Sequence, residues 1–211
     1  MRLVKEKIVS KNQLRRLPFY LSYLKKKYSE GVEYISSPQI AIGLNLSEEQ
    51  VRKDLALVSR CCGKPKMGRS VETLILDLEE YLGYKNTNKA VIVGAGHLGG
   101  ALFAYQGFSR YGLDIVAAFD NNPKKIGMEI GGKNIYSLDS LEEFCLGCDV
   151  KIGIITVPGE AAQEVCDRLV KIGVKAIWNF APVKLDVIDS VIVQNENMAS
   201  SLAILSSKLK K

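Results

Sequence analysis

Ala90-Val-Ile-Val-Gly94-Ala-Gly96-His-Leu-Gly99-Gly-Ala-Leu-Phe103 decides the fold. Its four apolar residues read as a buried parallel strand, and Gly94-x-Gly96-x-x-Gly99 follows at once. An apolar stretch of helical length, Leu98 to about Ser109, comes next. Strand, glycine turn and helix in this order are what a dinucleotide site requires. The first glycine permits the tight turn, the second lets the backbone approach a pyrophosphate, and the third lets helix pack on strand. The N–H groups of the helix start then face the anion. Gly94, Ala95, Gly96, His97, Leu98 and Gly99 thus form the first part of a candidate cofactor site.

A second strand, Asp114-Ile-Val-Ala-Ala-Phe119, ends in Asp120, 26 positions after Gly94. A carboxylate there can take both hydroxyls of an adenosine ribose and repels a 2′-phosphate. The polar loop Asn121 to Lys125 continues that edge, and a glycine-rich stretch, Gly127 to Gly132, follows it. A short helix is expected near Asp139–Phe144, then a strand at Lys151–Thr156. A helix at Glu160–Ile172 and strands at Val174–Trp178 and Val191–Val193 complete a doubly wound α/β sheet of the Rossmann type. Ligands of such sheets bind outside the carboxyl ends of the strands. Thr156, Val157, Pro158, Asn179 and Phe180 are therefore further candidate cofactor contacts.

Upstream, the chain changes character. Residues 1–85 hold 16 Lys and Arg against 10 Asp and Glu, whereas residues 86–211 hold 13 of each. All of the net charge of +6 therefore belongs to the first 85 residues, which points to an acidic partner. Ser10 can cap a helix with Leu14, Leu17, Leu21, Leu24 and Tyr28 on one stripe, kinked or divided at Pro18. Ser37-Pro38 starts a short helix to Leu44. Ser47 and Gln50 fit a capping box for a helix from Glu48, in which Val51, Leu55 and Val58 line the apolar stripe. Lys53, Ala56 and Arg60 lie opposite, with Gln50 and Arg52 on the flanks. Two short helices, the second exposing Gln, Arg and Lys early, form a helix-turn-helix pattern. Gly63-Lys64-Pro-Lys66-Met-Gly68-Arg69 reads as a basic wing along phosphates. Val71, Leu74, Leu78 and Leu82 mark one more helix, and Lys85-Asn-Thr-Asn-Lys89 is a polar linker. The expected domains are a winged helix at 1–85, a cofactor domain at 86–197 and a C-terminal helix at 198–211.

Five cysteines, an odd number, suit a reducing compartment, and neither a signal peptide nor a membrane span is legible, so a cytoplasmic protein is expected. Cys145-x-x-Cys148 lacks a second ligand pair, the adjacent Cys61-Cys62 suit one tetrahedral ion poorly, and Cys166 stands alone. No metal is therefore expected.

These residues also spell a family. Arg16-Leu-Pro-x-Tyr20, Ile35-Ser-Ser37, Gln50-Val-Arg-Lys-Asp-Leu55, the Gly94 loop and Gly107-Phe108 belong to the pattern. Ala117-Ala-Phe-Asp120, Thr156-Val-Pro158, Ala161-Ala-Gln163 and Asn179-Phe-Ala-Pro182 complete it. Together they resemble the Rex redox-sensing transcriptional repressors of bacteria. The resemblance implies a homodimer on palindromic operator DNA that senses NADH against NAD+, with a C-terminal helix reaching the other subunit. It adds Arg16 and Ser47 to Gln50, Arg52, Lys53, Arg60, Lys64, Lys66 and Arg69 as DNA contacts, and adds Tyr105 and Phe108 beside the nicotinamide. Ser22 and Asn197 stand where many members carry a charged Arg and Asp, and Arg69 stands where an aromatic residue is common.

Three other readings compete. A dehydrogenase needs a substrate domain and an acid/base near the hydride, but the sole histidine, His97, lies in the glycine loop, so no enzyme is expected. A coenzyme A module would bring a 3′-phosphate to the ribose edge, where Asp120 repels it. A DNA-binding protein merely structured by its second domain would ignore NADH.

Overall fold

Serine opens every helix described in the first 85 residues. Ser10, Ser36, Ser47 and Ser70 cap α1 (Lys11–Ser29), α2 (Ser37–Leu44), α3 (Glu48–Val58) and α4 (Val71–Tyr81), each hydroxyl accepting the N–H three residues on. The computed structural model describes residues 10–59 and 67–209. The chain divides into two compact units, Met1–Lys85 and Asn86–Lys211.

In the first unit the central turns of the expected stripes meet. Leu17, Tyr20, Leu21 and Leu24 pack with Ile40, Val51, Leu55, Val58, Val71, Leu74 and Leu78. Leu14 and Tyr28, at the ends of the α1 stripe, are exposed instead. α1 is a single helix that runs through Pro18. Asn45, in the left-handed region at φ 53°, makes the turn between α2 and α3. β1 (Tyr34–Ile35) pairs antiparallel with β2 (Arg69–Ser70), which holds Arg69, the last residue of the expected wing. Arg60, Lys64 and Lys66 lie outside the described residues, as do Cys61 and Cys62.

The second unit is a seven-stranded sheet in the order β5-β6-β4-β3-β7-β8-β9. Its strands are β3 (Asn88–Val93), β4 (Leu113–Asp120), β5 (Glu129–Ile130), β6 (Lys133–Ser137), β7 (Val150–Ile155), β8 (Ala176–Asn179) and β9 (Ile192–Asn195). All neighbours are parallel except the edge pair β5–β6. The pleat sends Val91 and Val93 to one core, with Phe119, Ile155, Val165 and Leu169. Ala90 and Ile92 go to the other, with Phe103, Ile115, Ala118 and Ile154. Burial on both faces is why β3 reads as an unbroken apolar run.

Two features here go beyond the sequence reading. The glycine-rich stretch holds a hairpin, with Gly131 and Gly132 at φ 59° and 80° between Ile130 and Lys133. Two positive φ values suit a two-residue turn, and a strand of two residues is too short to show periodicity. The helix after the glycine loop, α5 (His97–Ala104), ends well before Ser109. Tyr105 leaves it in extended conformation, and a tighter 3-10 stretch follows at Gln106–Tyr111. A Cβ on Gly107 would lie 2.3 Å from the Tyr105 ring, so the glycine admits the ring that ends the helix. Between the later strands lie α6 (Leu141–Gly147) and α7 (Gly159–Ile172). α8 (Met198–Leu209) closes the chain and buries none of its side chains in this subunit.

Candidate functional site

β3 sits where the strand order changes direction. Val93 pairs with Phe119 of β4 on one side and Ile155 of β7 on the other. The loops leaving these strands open a crevice of about 440 Å³ lined by Gly94, Gly96, Asp120, Asn121, Lys125, Thr156, Val157 and Pro158. Val93, Phe119, Leu138 and Ala161 complete its wall. Leu138 follows β6, the strand not legible in the sequence. Knowing that strand, its carboxyl end beside β4 would have pointed to Leu138.

Each motif glycine has its own reason. Gly94 is at φ +99°, and a Cβ on it would stand 2.9 Å from the Thr156 carbonyl. A Cβ on Gly99 would fall 1.8 Å from the Gly94 oxygen, so helix and turn are in contact there. At Gly96 a Cβ would meet nothing within 4 Å. The second glycine therefore leaves space in which a pyrophosphate could approach bare backbone. No side chain caps α5 at Gly96, and uncapped N–H groups at a helix start attract an anion. Thr156 Oγ1 donates to the carbonyls of Val93 (3.1 Å) and Gly94 (2.7 Å), tying the turn to β7.

Asp120 Oδ2 accepts the Ala95 N–H at 2.8 Å and the Lys125 ammonium at 3.1 Å, and Oδ1 accepts the Asn122 N–H at 2.8 Å. Burial pushes this carboxyl up, but the Asn122 N–H, Lys125 and the Ala95 N–H together hold it below the usual carboxylate range. It is ionised at neutral pH and rests at the edge where an adenosine ribose would lie. The donor set, the open Gly96 position and the uncapped helix fit a nicotinamide dinucleotide.

Of the remaining candidates, Ala95 is buried and contributes its N–H to Asp120, whereas His97 and Leu98 are exposed at the head of α5. Asn179 is corrected. Its side chain is fully buried, donating to Val183 O and Asn195 Oδ1 and accepting the Ala181 N–H. With all these bonds made internally, it shapes the Asn179–Val183 turn and offers nothing to a ligand. Phe180 follows β8, and its N–H donates to Ile155 O, one residue before Thr156. From it runs a file of rings: Phe180–Trp178 (4.9 Å between centroids), Trp178–Phe108 (5.7 Å) and Phe108–Tyr105 (5.0 Å). Trp178 was not among the sequence candidates, because alternation along β8 marks it only as a strand residue.

In the first unit, Arg52, Lys53 and Ala56 of α3 are exposed. Arg52 pairs with Glu48, and Lys53 with Glu49 at 2.7 Å. Arg16, expected among the DNA contacts, also has a partner within the unit. Its Nε and Nη2 donate to Asp54 Oδ2 and Oδ1 at 2.7 and 2.9 Å, and Tyr20 donates to Oδ2 at 2.8 Å. This bidentate pair bolts α3 to α1. It also explains why the Ser47–Gln50 capping box is half made. Ser47 accepts the Gln50 N–H, but the Gln50 carboxamide, turned with its oxygen toward Arg16, accepts from Nη1 at 3.0 Å. A guanidinium outcompetes a neutral backbone donor. The full boxes are Ser10–Gln13 and Ser36–Gln39. Ser47 is exposed at the head of α3, and Arg69 sits in β2.

Burial pushes the Cys145 thiol up to about 11 and raises that of Cys166 as well. Thiols so protonated make poor nucleophiles and metal ligands. Among the described residues no cluster could hold a metal, and no helix is long and apolar enough to cross a membrane.

Comparison with known proteins agrees with both halves. The family profile described as a putative DNA-binding protein N-terminus matches residues 8–56, and the one described as a CoA binding domain matches residues 85–183. The redox-sensing transcriptional repressor Rex of Treponema denticola is 45% identical over 203 residues, 96% of each chain. That of Carboxydothermus hydrogenoformans is 42% identical, covering 94% of this chain and 95% of its own. The crystal structure of RSP in complex with β-NAD+ and operator DNA matches with a TM-score of 0.91 at 36% identity, over 96% of this chain and 93% of that one. RSP in complex with β-NADH matches at 0.85 and 35%, over 96% and 95%. These relatives are repressors and not dehydrogenases, and with identity of this order along nearly the whole length, the chain belongs to the Rex family of redox-sensing transcriptional repressors.

Proposed function

We propose that this chain acts in the cytoplasm as a homodimer on palindromic operator DNA and leaves it when NADH rises relative to NAD+. The observation that carries the reading is the crevice at Gly94–Asp120, in a chain whose other unit exposes Arg52 and Lys53 on a helix-turn-helix. Gln50, Arg52 and Lys53 supply base-edge contacts, and Ser47, Arg60, Lys64, Lys66 and Arg69 hold phosphates.

α8 supplies the dimer contact. Met198, Leu202, Ile204, Leu205 and Leu209 are 58–86% exposed along its twelve residues. A helix this short has little stability of its own, so its apolar face requires a second surface. A second copy of the chain provides it.

Gly94, Gly96 and Asp120 meet the parts that NAD+ and NADH share, and a ligand with equal affinity for two conformations shifts nothing. Discrimination falls to Tyr105, Phe108 and Phe180, which offer an apolar wall to the nicotinamide. Such a wall penalises the cationic ring of NAD+ through lost hydration and accepts the neutral ring of NADH. A tenfold preference needs only ~1.4 kcal/mol. The test is a mobility shift on the DNA upstream of the protein's own gene, with NADH and NAD+ titrated separately. Release at a much lower NADH concentration is expected; release by both at the same concentration overturns the reading. Calorimetry with coenzyme A beside NADH excludes the alternative ligand if only NADH binds.

A further inference from the structure

The file of rings does not end at Trp178. The indole Nε1–H donates to Glu196 Oε1 at 3.1 Å. Glu196 stands one residue beyond β9 and two before the start of α8, and its N–H donates to Asn179 O. Next to it, Asn197 Oδ1 accepts the Ser200 N–H at 3.0 Å and caps α8. Tyr105, Phe108, Trp178, Glu196 and the root of α8 thus form one continuous series of contacts. Trp178 is the only member that touches the rings on one side and the helix root on the other.

We propose that the Trp178–Glu196 hydrogen bond is a positioning contact that couples occupancy of the aromatic wall to the setting of α8, and so to operator release. This rests on the functional reading above. β9 is an edge strand, and its main-chain bonds to β8 hold its position but not the direction in which the chain leaves it. A side-chain bond from a half-buried indole fixes that direction. A nicotinamide that displaces Phe108 displaces the indole packed edge-on against it, and the bond carries the shift to residue 196. Trp178→Phe would keep the ring file and lose the donor. Glu196→Gln would keep an acceptor oxygen, whereas Glu196→Leu would lose it.

The experiment measures operator affinity of the full-length protein without and with saturating NADH, and the first divided by the second is the coupling ratio. Trp178→Phe and Glu196→Leu are expected to lower the ratio at least about fivefold, while free-protein NADH affinity stays within about threefold. Glu196→Gln is expected to retain the wild-type ratio. Coupling is reciprocal, so NADH affinity measured on the DNA-bound protein must rise by the same factor that the ratio falls. A purely structural role would lower melting temperature and weaken both ligands, leaving the ratio alone. The proposal is overturned if either Trp178→Phe or Glu196→Leu keeps the wild-type ratio, or if Glu196→Gln loses it as Glu196→Leu does. A wild type indifferent to NADH sinks the functional reading itself; a responsive wild type with unaltered variants sinks this proposal alone.

Discussion

Asp120 holds the loop it works beside: its Oδ2 accepts the Ala95 N–H at 2.8 Å, 25 residues back in the chain. The residue proposed to meet a ribose therefore also fixes the glycine turn. Asp120→Ala removes an ionised acceptor, and hydrogen bonds to charged groups contribute ~1.5–3 kcal/mol. NADH and NAD+ affinity should both fall about 10- to 100-fold, in parallel, by calorimetry. A fall for one nucleotide only would move Asp120 to the nicotinamide end.

Gly96→Ala and Gly99→Ala should part company. At Gly96 the new methyl enters open space, so the melting temperature should hold while dinucleotide binding is lost. At Gly99 it meets the Gly94 oxygen, and overpacking of this kind costs roughly 1–3 kcal/mol or more. That variant should melt early and bind nothing. Normal melting of Gly99→Ala would show that the turn relaxes freely.

On α3, Arg52→Ala and Lys53→Ala should each reduce affinity for the operator at least about tenfold, with little effect on unrelated DNA. Lys64→Ala and Lys66→Ala should weaken all sequences alike and flatten the salt dependence by about one unit each. If Lys66→Ala alters sequence preference with the salt slope intact, the wing assignment is wrong.

Asp54→Ala removes the carboxylate that Arg16 and Tyr20 share, leaving Arg16 only the Gln50 carboxamide oxygen. Breaking a buried pair costs ~3–5 kcal/mol, and because Arg16 keeps a path to water a loss of roughly 2–4 kcal/mol is expected in thermal or urea unfolding. Burial opposes the charge on Asp54, but the bonds from Arg16 and Tyr20 prevail and hold its pKa below the ordinary 3.8. The stability from this lowered pKa is present above pH 3.8 and is lost as pH falls through the folded value. In Asp54→Ala that acid-dependent part should be absent.

Removing residues 199–211 should turn a dimer into monomers or aggregates in sedimentation. A truncated chain that stays dimeric would show that other surfaces join the subunits.

Much of this was legible because strong patterns have local causes. The run Ala90–Val93, the glycine triplet and Asp120 announce themselves through spacing alone, as do the stripes of α3 and α4. What escaped depends on partners far away in sequence. Arg16 reads as a free basic residue until Asp54 stands 38 positions on, and Asn179 reads as a crevice residue until Val183 and Asn195 close around it. Helix α5 looked longer because apolar residues continue past Ala104, and only the Tyr105 ring against Gly107 reveals the break. β5 and β6 escaped because two glycines, not periodicity, define them.

Pro18 lies within α1, between the turn that bears Arg16 and the turn that bears Tyr20. It has no N–H, so the Leu14 carbonyl has no donor four residues on, and the helix ladder lacks a rung there. The first two turns are thus secured less by helix cooperativity than by the Ser10–Gln13 box and by Asp54. In amide exchange, those turns should form a separate opening unit whose protection depends on Asp54 of α3. Whatever draws α3 away from α1 should therefore release the beginning of α1 as well, so that Asp54 and the head of α1 open and close as one.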